Sequence, residues 1–228
     1  MSGRGPWGER KREVNRLKLA VLISGSGTTL QNLIRRSEAG ALPASVELVV
    51  SSKEDAYGLE RAQEHNIPTA VVEWKKIRDV NEFSHRITCV LDEFEPDLVI
   101  MGGFLNLYLL PDEYKGRAMN IHPALIPSFC GKGYYGRRVH EEVLKYGCKV
   151  SGCTVHFVDN QYDHGPIIVQ RTVAVHEGDT PEELAARVFR EECEAYPQAI
   201  RLFAEGRLEI RGGRVKILSK PRESAQDA

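Results

Sequence analysis

Four short stretches of this chain gather residue types that acyl-group chemistry uses. In Asn120-Ile121-His122-Pro123 an amide and an imidazole stand two residues apart. At a strand end both side chains would leave the same face. A side-chain amide can donate to an oxygen on which charge develops, and an imidazole can move a proton near neutral pH. Downstream, Asp159-Asn160-Gln161-Tyr162-Asp163-His164-Gly165-Pro166 crowds carboxylates and amides into a loop closed by Gly-Pro. A carboxylate there could reach His122, hold its tautomer and favour its charged form. Gly25-Ser26-Gly27-Thr28-Thr29 would open a helix with free amides suited to phosphate. It is neither a dinucleotide fingerprint nor a P-loop, which need a further glycine and a lysine respectively. Glu191-Glu192 could bind a ribose hydroxyl or an amine if one carboxyl turns inward. Each stretch also has a plainer reading: a tight helix start, a turn-capping histidine, a solvated Asx turn and a solvated helix face.

These residues need elements to hold them. The apolar run Leu19–Ile23, the glycine break and the helical spacing of Leu30, Leu33 and Ile34 read as strand, turn and helix over 28–39. Strands are expected at 46–50, 69–72 and 98–101, with helices at 57–65 and 81–94 between them. This alternation implies a mostly parallel central sheet with helices on both faces, an α/β Rossmann-like fold. The second half differs. A short strand at 118–121 leads into Pro123 and Pro127, and 140–146 reads as helical. Long strands at 151–158 and 167–175 flank the acidic loop, which suggests an antiparallel pair. A helix over 181–205 with Thr180 as N-cap is followed by a hairpin, 208–211 and 214–218, turned by Gly212-Gly213.

The 228 residues can bury a sizeable core, and no linker divides them into independent domains. A formal net charge of -1 gives no general attraction to nucleic acid or an anionic membrane. No apolar run would span a bilayer, and residues 1–16 lack a secretory apolar stretch. Residues 1–16 and 219–228 read as a disordered arm and tail. The cysteines, odd in number and without short paired spacing, are expected reduced, which fits a cytoplasmic protein. His122, His156, Asp159, Asp163 and His164 lack the spacing of a known metal motif, so no metal is expected.

Taken in order, the motifs resemble those of the glycinamide ribonucleotide formyltransferase family. The matching pieces are residues 23–31, 58–62, Gly103-Phe104, 120–127, 152–158, 163–168 and 177–180. The resemblance runs from about Lys18 to Leu218 and implies a single formyltransferase domain over 17–218. Its phosphate-binding half would be 17–116 and its folate and catalytic half 117–218. Asn120, His122 and Asp163 match the family's catalytic Asn, His and Asp. Gly27, Thr28 and Thr29 match the segment that holds the substrate phosphate, and Glu192 the residue that meets the ribose. Leu105, Asn106, Leu107 and Tyr108 match the folate pocket lining, together with Asn120, Asp159, Asp163 and the loop 159–165. Arg78 matches a basic residue at the folate tail. The chain departs from the pattern at Thr29, where Asn is common, and at Asn106, where Arg is common. Phe189 stands where a polar phosphate partner occurs. The loop Gly131-Lys132-Gly133-Tyr134-Tyr135-Gly136 is unusual, and Lys132 could supply charge to a phosphate or to a folate carboxylate.

The resemblance implies formyl transfer from 10-formyltetrahydrofolate to the amine of 5-phosphoribosylglycinamide in purine biosynthesis. Both partners are small molecules, and the chain is expected as a monomer or homodimer. Three rivals share the fold. A formyltetrahydrofolate deformylase would use water as acceptor, but such relatives carry an N-terminal regulatory domain, for which the stretch before Leu17 is too short. A tRNA formyltransferase would carry a C-terminal RNA-binding domain. A non-catalytic nucleotide-binding module would not need the Asn, His and Asp set.

Overall fold

The computed structural model describes residues 16–219. The expected arm and tail therefore lie outside the described residues, apart from Arg16 and Ser219. A seven-stranded sheet is built from β1 (Leu17–Ile23), β2 (Ala44–Ser51), β3 (Thr69–Val71), β4 (Leu98–Met101), β5 (Ala118–His122), β6 (Val150–Phe157) and β7 (Ile167–Ala174). Its order is β3-β2-β1-β4-β5-β6-β7. β1 to β5 run parallel, and β6 pairs antiparallel with both β5 and β7. β8 (Leu208–Arg211) and β9 (Arg214–Ile217) form a separate hairpin.

The continuous apolar strands follow from burial on both faces. In β1, Leu19, Val21 and Ile23 enter one core, while Ala20 and Leu22 enter the other. The first core is covered by α1 (Thr28–Glu38), α2 (Tyr57–Glu64), α5 (Arg137–Tyr146) and α6 (Pro181–Ala204). The second is covered by α4 (Val80–Phe94), which turns Phe83, Ile87 and Leu91 inward. In β5, Met119 and Ile121 enter the first core, and alternation leaves Asn120 and His122 on the other face.

Three local features differ from expectation. α5 starts at Arg137 rather than His140, because Gly136 takes a positive φ of 54° as N-cap and lets the helix begin at once. The short helix α3 (Trp74–Ile77) and a 3-10 turn at Asp112–Tyr114 carry too few residues to show a period.

The sheet order reverses direction between β1 and β4, and the ends of these strands open a crevice. There the Ser24 amide donates to the Gly103 carbonyl at 3.1 Å, and the Leu105 amide donates to the Ser24 hydroxyl at 3.0 Å. α6 is fixed to the same end by Tyr196, whose buried hydroxyl lies 3.0 Å from the Met101 carbonyl and 2.7 Å from that of Met119. The start of α6 is a full capping box: Thr180 Oγ1 accepts from the Glu183 amide, and the Glu183 carboxylate accepts from the Thr180 amide. Thr180→Ala removes it and is expected to cost about 1 kcal/mol, lowering Tm by about 2–4 °C. An unchanged melting curve would show that packing alone holds the helix start.

Candidate active site

Asp163 lies at the centre of the site. Its Oδ1 accepts from Asn120 Nδ2 at 3.2 Å, and its Oδ2 accepts from the Gly131 amide at 2.9 Å. Oδ2 also lies 3.4 Å from His122 Nδ1. The acidic loop delivers this carboxylate to β5 through strained local geometry. Asp163 itself takes a positive φ of 50°. Behind it Gly165 packs so closely on the Phe157 carbonyl that a Cβ would collide with it.

The rings around Asp163 have defined tautomer preferences. His156 is buried. Its Nδ1 lies 2.8 Å from the Phe157 carbonyl, so that nitrogen carries the hydrogen, and its Nε2 accepts from Asn120 Nδ2 at 3.2 Å. Burial first of all pushes the His156 imidazolium down, consistent with that neutral form. Asn120 Nδ2 therefore donates to two acceptors, His156 Nε2 and Asp163 Oδ1. A flipped amide would set oxygen against the Asp163 carboxylate. His122 Nε2 donates to the Phe129 carbonyl at 2.8 Å, leaving Nδ1 toward Asp163. At 3.4 Å that second contact is longer than a charge-assisted hydrogen bond, so the Nδ1 position is not tightly committed.

Two cavities meet here. The larger, about 660 Å³, is walled by Thr28 and Thr29 at the start of α1, by Asn120 and His122, by residues 131–137 and by Glu192 on α6. The smaller, about 50 Å³, is lined by Asn106, Leu107, Tyr108, His156 and Asp159. Phe104, Asn120, Tyr162 and Asp163 line both. The start of α1 has no side-chain cap: Gly27 takes a positive φ of 68° and the first amides stay free. Gly27 does not line the cavity. It packs on α2, where an added Cβ would lie 2.7 Å from Gly58 Cα.

Most residues singled out in the sequence come together. Asn120, His122, Asp163, Thr28, Thr29 and Glu192 wall the larger cavity, and Leu105 lines it too. Three expected folate contacts are bonded elsewhere. Arg78 is not brought to either cavity; it caps α3, and its Nε donates to the Lys75 carbonyl at 3.1 Å. Tyr108 turns its hydroxyl to Thr88 of α4 at 3.0 Å, and burial pushes its phenol up to about 12. Asp159 is held by His164 Nδ1 at 2.6 Å. Among the described residues, no cluster of three or more His, Cys, Asp or Glu side chains could hold a metal, all five cysteines are free, and no helix is long and apolar enough to cross a membrane.

The sequence reading missed His140. His140 lines the larger cavity, is buried, and has an Nδ1 without a hydrogen-bond partner. Burial first, and His122 second, push it down to about 4. Its inward placement was legible only from the spacing of Val139, His140 and Val143 on one helix face.

Burial raises the Glu192 carboxyl from 4.5 to about 7. The folded chain then holds a proton that the unfolded chain has released, so stability is lost as pH rises from 4.5 through 7. At 1.36 kcal/mol per unit, and discounted because the carboxyl faces an open cavity, the loss is about 1–2 kcal/mol. Glu192→Gln should therefore gain that much over wild type at pH 8 relative to pH 5, read by denaturant melts. A difference that ignores pH would contradict the assignment.

A model of the family described as formyl transferase matches residues 17–200. The phosphoribosylglycinamide formyltransferase of Haemophilus influenzae is 38% identical, aligned over 85% of this chain and 90% of its own length. The trifunctional purine biosynthetic protein adenosine-3 of Gallus gallus is 40% identical over 88% of this chain, which spans only about a fifth of that protein's length (20%). Among solved structures, glycinamide ribonucleotide transformylase 1 from Symbiobacterium toebii superposes with a TM-score of 0.83 at 40% identity, covering 96% of this chain and all of the other (100%). A formyltetrahydrofolate deformylase from Pseudomonas putida also superposes, with a TM-score of 0.76 at 28% identity, covering 90% of this chain and 71% of that one. By the span of the family model and its likeness to a bacterial relative along nearly that relative's whole length, the chain belongs to the formyl transferase family.

Proposed function

We propose that this chain transfers a formyl group from 10-formyltetrahydrofolate to the amine of 5-phosphoribosylglycinamide, releasing the N-formyl product and tetrahydrofolate in de novo purine biosynthesis. The observation that carries this reading is the junction of two cavities at Asn120 and Asp163. A transfer needs two substrates to meet at one polar point, and holding them in line contributes much of the rate. The larger cavity, with the free amides of α1, suits the phosphoribosyl amine, and the smaller suits the pterin end of the folate. At about 50 Å³ the latter has room for little more than water, so the loop 159–165 has to open for the ring.

In this reading the amine nitrogen attacks the formyl carbon, and the carbonyl oxygen becomes an oxyanion. Asn120 Nδ2 turns one N–H from Asp163 to that oxygen, which its 3.2 Å bond permits. With Nε2 bonded to the Phe129 carbonyl, the protonated His122 ring supplies the second donor from Nδ1, the nitrogen that faces Asp163. The bond from the formyl carbon to the folate nitrogen then breaks. The proton lost by the amine reaches that nitrogen through His122 or a water. Glu192, mostly protonated below pH 7, can donate to a ribose hydroxyl. No step calls for a metal.

The test follows tetrahydrofolate formation by absorbance, with and without the phosphoribosyl amine. Product is expected only with the amine present. Equal product without it would make water the acceptor and the chain a deformylase.

A further inference from the structure

The larger cavity needs a positive charge if a phosphate dianion is to enter it, and few groups can supply one. Three acids line it, Asp163, Glu182 and Glu192; of its two histidines, His140 is held neutral by burial and His122 is bonded to the Phe129 carbonyl and faces Asp163. Phe189 offers no polar atom. Its cations are Lys132 and Arg137. Arg137 is already engaged, its Nε donating to Glu141 at 2.6 Å and its Nη1 pairing with Glu182. Arg61, behind the glycine turn, donates to the Ser26 carbonyl and to Gln31 and stays out of the cavity wall. Lys132 alone among these cations is exposed and has no ion pair among the described residues.

Its loop is also held in place. The Gly131 amide is bonded to Asp163, and the Tyr134 amide closes a turn on the Gly131 carbonyl at 3.0 Å. Gly131 and Gly133, both at positive φ, bracket the lysine at the tip of this turn. Lys132 lines the cavity shared with Thr28 and Thr29 and is absent from the cleft that suits the folate.

We propose that Lys132 is a specificity-determining residue whose ammonium meets the substrate phosphate across the cavity from the free amides of α1. It completes a site in which helix amides orient the phosphate and one mobile charge neutralises it. The assignment rests on the formyl-transfer reading for the identity of the substrate, but phosphate recognition can be measured without turnover.

The experiment compares wild type, Lys132→Gln and Lys132→Arg. Steady-state rates are taken with phosphoribosylglycinamide and with its phosphate-free ribosyl counterpart. Binding of ribose 5-phosphate is measured by calorimetry. Lys132→Gln should raise KM for the phosphorylated amine about ten-fold or more, as expected for loss of a charge-assisted contact, with kcat within about two-fold of wild type. Lys132→Arg should restore most of the loss. The phosphate-free amine should show no difference between the proteins, and ribose 5-phosphate should bind the Gln variant more weakly by the same factor. A rise in KM for the folate instead, or an equal loss with the phosphate-free amine, would overturn the proposal. So would unchanged ribose 5-phosphate binding. If wild type binds ribose 5-phosphate through Lys132 yet makes no product with the amine, the formyl-transfer reading fails and the phosphate assignment stands.

Discussion

A single carboxylate holds this site together. Asp163 joins three groups from distant parts of the sequence: the Asn120 amide and His122 ring on β5, and the Gly131 amide beyond the turn at Pro127. Without it, Asn120 would lose the acceptor that fixes its amide, and the loop bearing Lys132 would lose its anchor. The carboxylate is held by backbone geometry rather than by a salt bridge to Arg or Lys. The positive φ at Asp163 and the tight seat of Gly165 leave the loop few other ways to run.

The fold supplies what that carboxylate needs. Apolar burial on both faces fixes the register of β1, β4 and β5, and this sets the ends of those strands side by side. Tyr196 ties α6 to the end of β4 and to Met119 within β5, which brings Glu192 over the crevice. Burial of His156 makes its neutral ring the favoured form, so that it can accept from Asn120. Core packing, tautomer and amide orientation are thus one chain of causes.

The sheet was legible in the sequence because its strands are short, continuous apolar runs, and β4 falls where its run does, Leu98–Met101. Thr180, expected as N-cap, announced the start of α6, and the reciprocal bond from Glu183 that completes the box appears only in the structure. Periodicity could not announce α3, four residues long, or the early start of α5, which depends on the conformation of Gly136. Within the site, the pairing of Asn120 with His122 could be read from a spacing of two. That Asp163 rather than Asp159 reaches them could not, since both sit in one polar loop and only the fold of that loop decides. In the sequence the resemblance, not spacing, favoured Asp163. Arg78 was placed by resemblance alone, and its capping of α3 is a local event that no motif encodes. His140 carries no motif, and its importance comes from burial without a partner.

The central claim is that Asn120 and Asp163 act as one unit on the formyl oxygen. It is tested most directly by a double-mutant cycle on the transfer rate, with Asn120→Ala, Asp163→Ala and both together. The account predicts strong non-additivity: the double variant should be about as slow as the slower single variant, because either change dismantles the same arrangement. Losses that simply multiply would mean that the two side chains work independently, and the shared carboxylate would not be the organising contact.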